Sequence, residues 1–244
     1  MKILLTNDDG IDAEGLKVLA SELGREHEVW TLAPDRERSG ASHSVNLKEP
    51  GRVVRKGDRE FSCSGTPADC VMLGYLEVLP FEPEIIVSGI NRGPNLGTDI
   101  LYSGTCAAAR QASLYGLPGI AVSCAIRHGP FHYLAAASFV RRNLTRLVEA
   151  CSPDHFININ APSSDAEDLE GRWASVSRRH YHDGVRPFIA PDGGIYCFLE
   201  PGTTETIGAD HSDEATVAAG FVAVTAVLVH PQIVADAEYG EAFR

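Results

Sequence analysis

The stretch "TNDDG" places two carboxylates, Asp8 and Asp9, side by side between a short apolar run and Gly10. Neighbouring side chains of a regular strand point to opposite faces, so both can reach one ligand only where the strand has ended and the backbone is turning. Gly10, free to take unusual dihedrals, allows that turn. Two hard oxygen donors suit Mg²⁺ or Mn²⁺ better than a soft metal, whereas an ordinary Asp-Gly turn is the plain alternative.

Three further loops carry groups of matching chemistry. "PDRERSGASHS" supplies Ser39, Gly40 and Ser42 between Arg36, Arg38 and His43. Ser39 offers a neutral oxygen to a cation, and the backbone amides from Gly40 onward can face an anion. The two arginines either hold a phosphate or pair with Asp35 and Glu37 at the surface. A lone loop histidine such as His43 is more often a bystander than a proton carrier. The Gly-rich "SGINRGPNLGTD" is long for a strand-to-helix connection, which favours binding. In it Asn91 can present an amide oxygen to a metal and Asn95 can donate to a ligand. "SGT" at Ser103, Gly104 and Thr105 opens an alanine-rich helix, with Ser103 as N-cap, and the free amides of such an end also attract anions. Neither the GxxxxGK[ST] phosphate loop nor a dinucleotide fingerprint after the first strand is present, which weakens ATP and NAD as ligands. "RRHYHD" (178–183) and "ADHSDE" (209–214) read as polar surface, with Ser212 also able to cap a short helix.

These loops need a scaffold that ends strands at one address. "KILLT" is a buried strand, "DAEGLKVLASELG" has the helical period at Leu16, Leu19, Ala20 and Leu23 with Gly24 as stop, and "HEVWTLAP" is a second strand. That βαβ unit implies a parallel sheet with a right-handed crossover. The alternation continues. "TPADCVMLGYLEVL" is a helix capped by Thr66 with Pro67 and Asp69 in its first turn, "EIIVSG" a strand, "SGTCAAARQASLYG" a helix and "GIAVSCAI" a strand. "YLAAASFVRRNLTRLVEA" and "HFININAP" complete the series as helix and strand. The result is a doubly wound α/β sheet, in which ligands bind beyond the carboxyl ends of the strands, where the four polar loops lie. Beyond Pro162 a polar segment precedes hairpin-like strands around Pro191-Asp192-Gly193-Gly194, and "VAAGFVAVTAVLVH" is an apolar strand able to rejoin the core. Such an extension commonly serves oligomerisation.

Composition narrows the functions. With 244 residues, 44% of them hydrophobic, the chain can bury one substantial core. A net charge of -12 argues against a nucleic-acid polymer or an anionic membrane as partner, since both recruit a positive face. The apolar start is too short for a signal peptide, and no run reaches the roughly 18 apolar residues of a membrane span, so the expected location is cytoplasmic. Six scattered cysteines without a CxxC pair read as reduced core thiols rather than a zinc site.

Taken together, "ILLTNDDGIDAEGL", "APDRERSGASHSV", "SGTPADCVMLG", "PEIIVSGINRGPNLGTDILYSGTCAAAR" and, more weakly, "SDEATVAAGFVAVTAV" resemble the SurE family, metal-dependent 5'/3'-nucleotidases of which some also act on short polyphosphate. The resemblance implies a single α/β domain over 1–244, with a Rossmann-like core at 1–162 and a β-rich extension at 163–244 containing the returning strand and a C-terminal helix. It implies one divalent cation per subunit on Asp8, Asp9, Ser39 and Asn91, and a phosphate surrounded by Gly40, Asn95 and the Ser103–Thr105 helix start. It also implies dimers or tetramers built through the extension. The chain departs from the family pattern at "AAARQAS", Phe221 and Ala226, none of them a metal ligand. The chemistry expected is metal-assisted hydrolysis of nucleoside 5'- and 3'-monophosphates, with Asp8 and Asp9 as the catalytic carboxylates and Asp8 either orienting water or attacking phosphorus directly. A nucleotide-binding regulator without turnover is the rival reading.

Overall fold

The computed structural model describes residues 1–126 and 129–231. Strand β1 (Lys2–Thr6) is buried from Ile3 onward, α1 (Glu14–Leu23) buries Leu16, Leu19 and Leu23, and β2 (Glu28–Pro34) returns parallel to β1. Because a strand alternates its faces, Ile3 and Leu5 enter the core on one side of the sheet while Leu4 enters the core on the other.

A short antiparallel hairpin, β3 (Val53–Arg55) and β4 (Glu60–Cys63), then extends the sheet beside β2. No strand is expected there from the sequence, because three- and four-residue strands flanked by charged residues carry no periodic signal. Helix α2 (Pro67–Leu73) starts as expected at Thr66, where the Asp69 amide donates to the Thr66 hydroxyl and the Asp69 carboxylate accepts from the Thr66 amide. The helix expected over 66–79 is α-helical only to Leu73 and continues as a π-helical turn over Gly74–Val78.

Four elements complete the doubly wound core after β5 (Ile85–Arg92): α3 (Gly104–Leu114), β6 (Gly119–Ala125), α4 (Leu134–Ala150) and β7 (His155–Pro162). Strands β4, β2, β1, β5, β6 and β7 run parallel in that spatial order. From β1 the chain moves outward through β2 to β4, then returns to the opposite side of β1 as β5. The order therefore reverses between β1 and β5, which opens a crevice at their carboxyl ends. Helices α1 and α4 cover one face, α2 and α3 the other.

The extension adds β8 (Gly171–Trp173), β9 (Arg178–Ile189), β10 (Ile195–Ile207), α5 (Asp213–Ala218) and β11 (Val222–Leu228). Strand β11 pairs antiparallel with β7, so the final apolar strand does rejoin the main sheet, and β8 forms its edge. Strands β9 and β10 stand apart as a long hairpin closed at Ala190–Gly194, with Phe188, Ile195, Tyr196, Phe198 and Leu199 exposed. The expected C-terminal helix lies outside the described residues. Among those described, no helix is long and apolar enough to cross a membrane, and all six cysteines are free thiols.

One expectation needs correction. Asp213, read as polar surface within "ADHSDE", is wholly buried, and its carboxylate accepts from the backbone amides of Gly97 and Ser177 at 2.8 and 3.0 Å. Arg179 of "RRHYHD" is likewise largely buried between Asp99 and Glu214. Both hold the extension to the core, a role that composition alone does not reveal.

Candidate active site at the sheet's switch point

Beyond Thr6 the chain leaves β1 in a turn closed by Asn7, whose side chain both donates to the Gly10 carbonyl and accepts from the Gly10 amide. Gly10 has φ +102°, and a Cβ there would stand 3.2 Å from the Arg36 backbone, so the tight approach of the second loop requires glycine. Asp8 sits in this turn only 3% exposed. Its Oδ1 accepts from the Thr105 hydroxyl at 2.6 Å and its Oδ2 from the Thr105 amide at 3.2 Å. The start of α3 therefore points its dipole and donors at Asp8. Gly104 packs against the same carboxylate, since a Cβ on it would lie 2.9 Å from the Asp8 Cβ.

Asp9 turns the other way, its Oδ2 accepting from the Arg92 amide at 3.0 Å. That amide is available because β5 carries one extra residue between Ser88 and Asn91 relative to β6, a bulge that re-aims the strand end. Gly89 lies inside it at φ +145°, pressed against the Val122 carbonyl where no Cβ would fit. Asn91, beside it, donates through Nδ2 to the Gly93 carbonyl at 2.9 Å, which leaves Oδ1 on the opposite branch of the amide.

The Ser39 loop is fastened at two points. The Arg38 amide donates to the Asp8 carbonyl at 2.7 Å, and Ser42, at φ +53°, donates through amide and hydroxyl to the carbonyls of Tyr102 and Leu101. Between these anchors Ser39 and Gly40 are exposed, the Ser39 hydroxyl donating to Glu37 at 2.9 Å. Gly40 has φ +73° and open space around its Cα. Arg38 points away to the Ser64 carbonyl. His43 is half-buried against Gln111 at 3.0 Å, and burial lowers its pKa.

Strands β1, β2 and β5 are parallel and adjacent, so the segments carrying Asp8 and Asp9, Ser39, and Asn91 lie at the same end of the sheet, where Thr105 of α3 meets Asp8. Asn95 is placed differently. Its backbone amide donates to Asn160, its Nδ2 to the Ser123 hydroxyl at 2.8 Å, and its carbonyl accepts from Asn158 and Asn160. Ser123, Asn158 and Asn160 are fully buried and hold the 93–97 loop in shape. These supports are missing from the sequence reading, although "FININA" carries a signal: Phe156, Asn158 and Asn160 share one face of β7, and two buried asparagines in an apolar strand need partners.

Both carboxyls are raised above their ordinary range. Burial pushes the Asp8 carboxyl above its ordinary range, against the opposing pull of the Thr105 hydroxyl and the α3 amides. Asp9 is pushed up to about 6, first by burial and then by Asp8 and Glu37. Among the described residues neither carboxylate forms an ion pair with a lysine or arginine, and no cluster of three or more His, Cys, Asp or Glu side chains occurs. The Arg92 amide and guanidinium pull the Asp9 pKa down, but the guanidinium makes no ion pair with it; two adjacent carboxylates of this kind have the hard oxygen donors that suit a divalent cation of the Mg²⁺ or Mn²⁺ type better than zinc.

A family model described as Survival protein SurE matches residues 3–183 of the chain. Proteins named 5'-nucleotidase SurE from Geotalea uraniireducens and Kosmotoga olearia are 42% and 40% identical to it. The first match covers 92% of both chains, the second 93% of this chain and 92% of the relative. The crystal structure of the SurE protein from Aquifex aeolicus matches with a TM-score of 0.82 at 30% identity, covering 95% of each chain.

Proposed function

The chain belongs to the Survival protein SurE family, and from that membership we propose that it is a divalent-metal-dependent 5'-nucleotidase, hydrolysing nucleoside monophosphates to nucleoside and phosphate. The observation that supports the metal dependence is the pair of adjacent carboxylates, Asp8 and Asp9, at the switch point of the sheet, both with raised pKa and neither in an ion pair. One Mg²⁺ or Mn²⁺ held by Asp8, Asp9, Ser39 and Asn91 would polarise the phosphoryl oxygens and make a neighbouring water more acidic. Asp8, oriented by Thr105, is the carboxylate we assign to aligning the attacking water, and Asp9, fixed by the Arg92 amide, holds its charge toward the same crevice. Gly40, Asn95 and the Ser103, Gly104 and Thr105 helix start border the phosphate. Asn95 does so from a loop whose backbone is locked by Asn158 and Asn160, which limits reorganisation during the reaction.

The same site accepts 3'-monophosphates and, secondarily, short polyphosphate. The exposed apolar hairpin β9–β10 supports assembly into homodimers or homotetramers, because a lone two-stranded hairpin is at best marginally stable in water. The net charge of -12 disfavours a nucleic-acid polymer or an anionic membrane as partner.

The deciding experiment measures phosphate release from 5'- and 3'-monophosphates and polyphosphate in chelator, then after Mg²⁺ or Mn²⁺ is restored. Release restored by metal is the expected result. A folded protein that binds nucleotide yet releases no phosphate with either metal would instead be a regulator.

A further inference from the structure

A cavity of about 660 Å³ is lined by Asp9 of the carboxylate pair. The loops after four parallel strands contribute to it: Asp9 after β1, Glu37 after β2, Arg92 ending β5, and Phe131 and Tyr133 after β6. Its volume is that of a small-molecule site. Its wall combines two kinds of chemistry. The Phe131 and Tyr133 rings stack with centroids 5.9 Å apart and planes at 11°, and the Arg92 guanidinium lies 5.3 Å from the Phe131 centroid. Glu14 and Glu37, both exposed, add an acidic stretch to the wall.

We propose that this cavity receives the nucleoside half of a nucleoside monophosphate, the base stacking on Phe131 and Arg92 and the ribose hydroxyls donating to Glu14 and Glu37. The inference rests on the phosphatase reading of the neighbouring site. Three observations carry it. Aromatic rings and guanidinium planes are the surfaces on which bases of any sequence stack. Carboxylates accept from hydroxyls but repel phosphates, so this acidic stretch suits a sugar and disfavours a second or third phosphate. Asp9 lines the cavity while its own carboxylate is fixed by the Arg92 amide, so the residue whose side chain meets the base also positions a proposed metal ligand. A base and a phosphate joined through ribose bridge that junction.

The test compares AMP with ribose 5-phosphate, which keeps the sugar and phosphate but lacks the base, in the presence of Mn²⁺. In wild type kcat/KM favours AMP. Phe131→Ala lowers the AMP to ribose 5-phosphate ratio about tenfold or more, mainly through KM, the fold-change that corresponds to about 1.4 kcal/mol of stacking. Phe131→Trp preserves the ratio, which guards against a folding defect in the alanine variant. A wild-type ratio near one, an unchanged ratio in Phe131→Ala, or equal loss on both substrates would overturn the assignment. Calorimetric binding of AMP separates this proposal from the one beneath it. AMP bound through Phe131 without any phosphate release refutes the nucleotidase reading and supports the cavity, whereas turnover indifferent to Phe131 refutes the cavity alone.

Discussion

Replacing Thr105 by valine removes the hydroxyl that donates to Asp8 Oδ1 at 2.6 Å, while the backbone amide stays in place at 3.2 Å from Oδ2. A hydrogen bond to a charged group is worth about 1.5–3 kcal/mol. Because Asp8 is only 3% exposed, water does not replace the lost donor, and the carboxyl rises further above its ordinary pKa. A cation must bind the ionised form, so the lost energy appears as weaker metal binding, by about ten- to a hundredfold, the range typical of partners that orient a ligand. Titrating Mn²⁺ calorimetrically into chelator-treated protein, without substrate, isolates this effect from any contact of Thr105 with phosphate. Thr105→Ser, which restores the hydroxyl, recovers most of the affinity. An unchanged Kd in Thr105→Val refutes the reasoning, and a fall in kcat alone would show that Thr105 acts on substrate rather than through Asp8.

In chelator, the Asp9 carboxyl near 6 lies above its unfolded value, so the native chain binds more protons and stability falls as pH rises from about 4 to about 6, staying low above that. The shift corresponds to about 1–2 kcal/mol once screening at a partly exposed group is allowed for. Asp9→Asn therefore flattens this slope and raises the metal-free melting temperature at pH 7 while abolishing metal-restored phosphate release; identical slopes in both proteins would contradict it. Gly104→Ala forces a Cβ to within 2.9 Å of the Asp8 Cβ and 3.1 Å of Pro67 Cγ, costing about 1–3 kcal/mol and displacing the carboxylate, with wild-type melting and activity as the refuting result. Phe198→Asp charges the exposed T-shaped pair with Phe188, 5.5 Å away, and is expected to reduce the assembly mass in light scattering; an unchanged mass would remove the hairpin from the interface.

The core was legible in the sequence because its strands are apolar runs bounded by turn residues and its helices carry either a 3.6-residue stripe or a cap such as Thr66 or Ser103. The turn that carries Asp8 and Asp9 was legible for a geometric reason, since adjacent carboxylates at a strand end can converge only at a turn. What escaped depends on pairing distant in the chain. Thr105 is 97 residues from Asp8, Asn160 is 65 from Asn95, and Asp213 is 116 from Gly97. No local pattern specifies those partners. The β3–β4 hairpin escaped for the opposite reason, being too short for any period to show. Ser39 and Asn91 were readable only as possible oxygen donors, and it is the family resemblance that implies their joining Asp8 and Asp9 on one cation, because a serine in a loop and an asparagine at a strand end have many commoner uses.

The fastening of the 93–101 loop also ties the extension to the core. Gly97 hangs on Asp213, Thr98 exchanges hydrogen bonds with the backbone of Arg179, and Asp99 receives both Arg179 and Tyr181. A chain cut after Pro162 would keep Asp8, Asp9, Ser39 and Asn91 in its sequence. It would also bare the outer edge of β7 and release the loop that carries Asn95 from one side. The extension therefore acts as a buttress for the site, and neither piece is expected to serve as an interchangeable module.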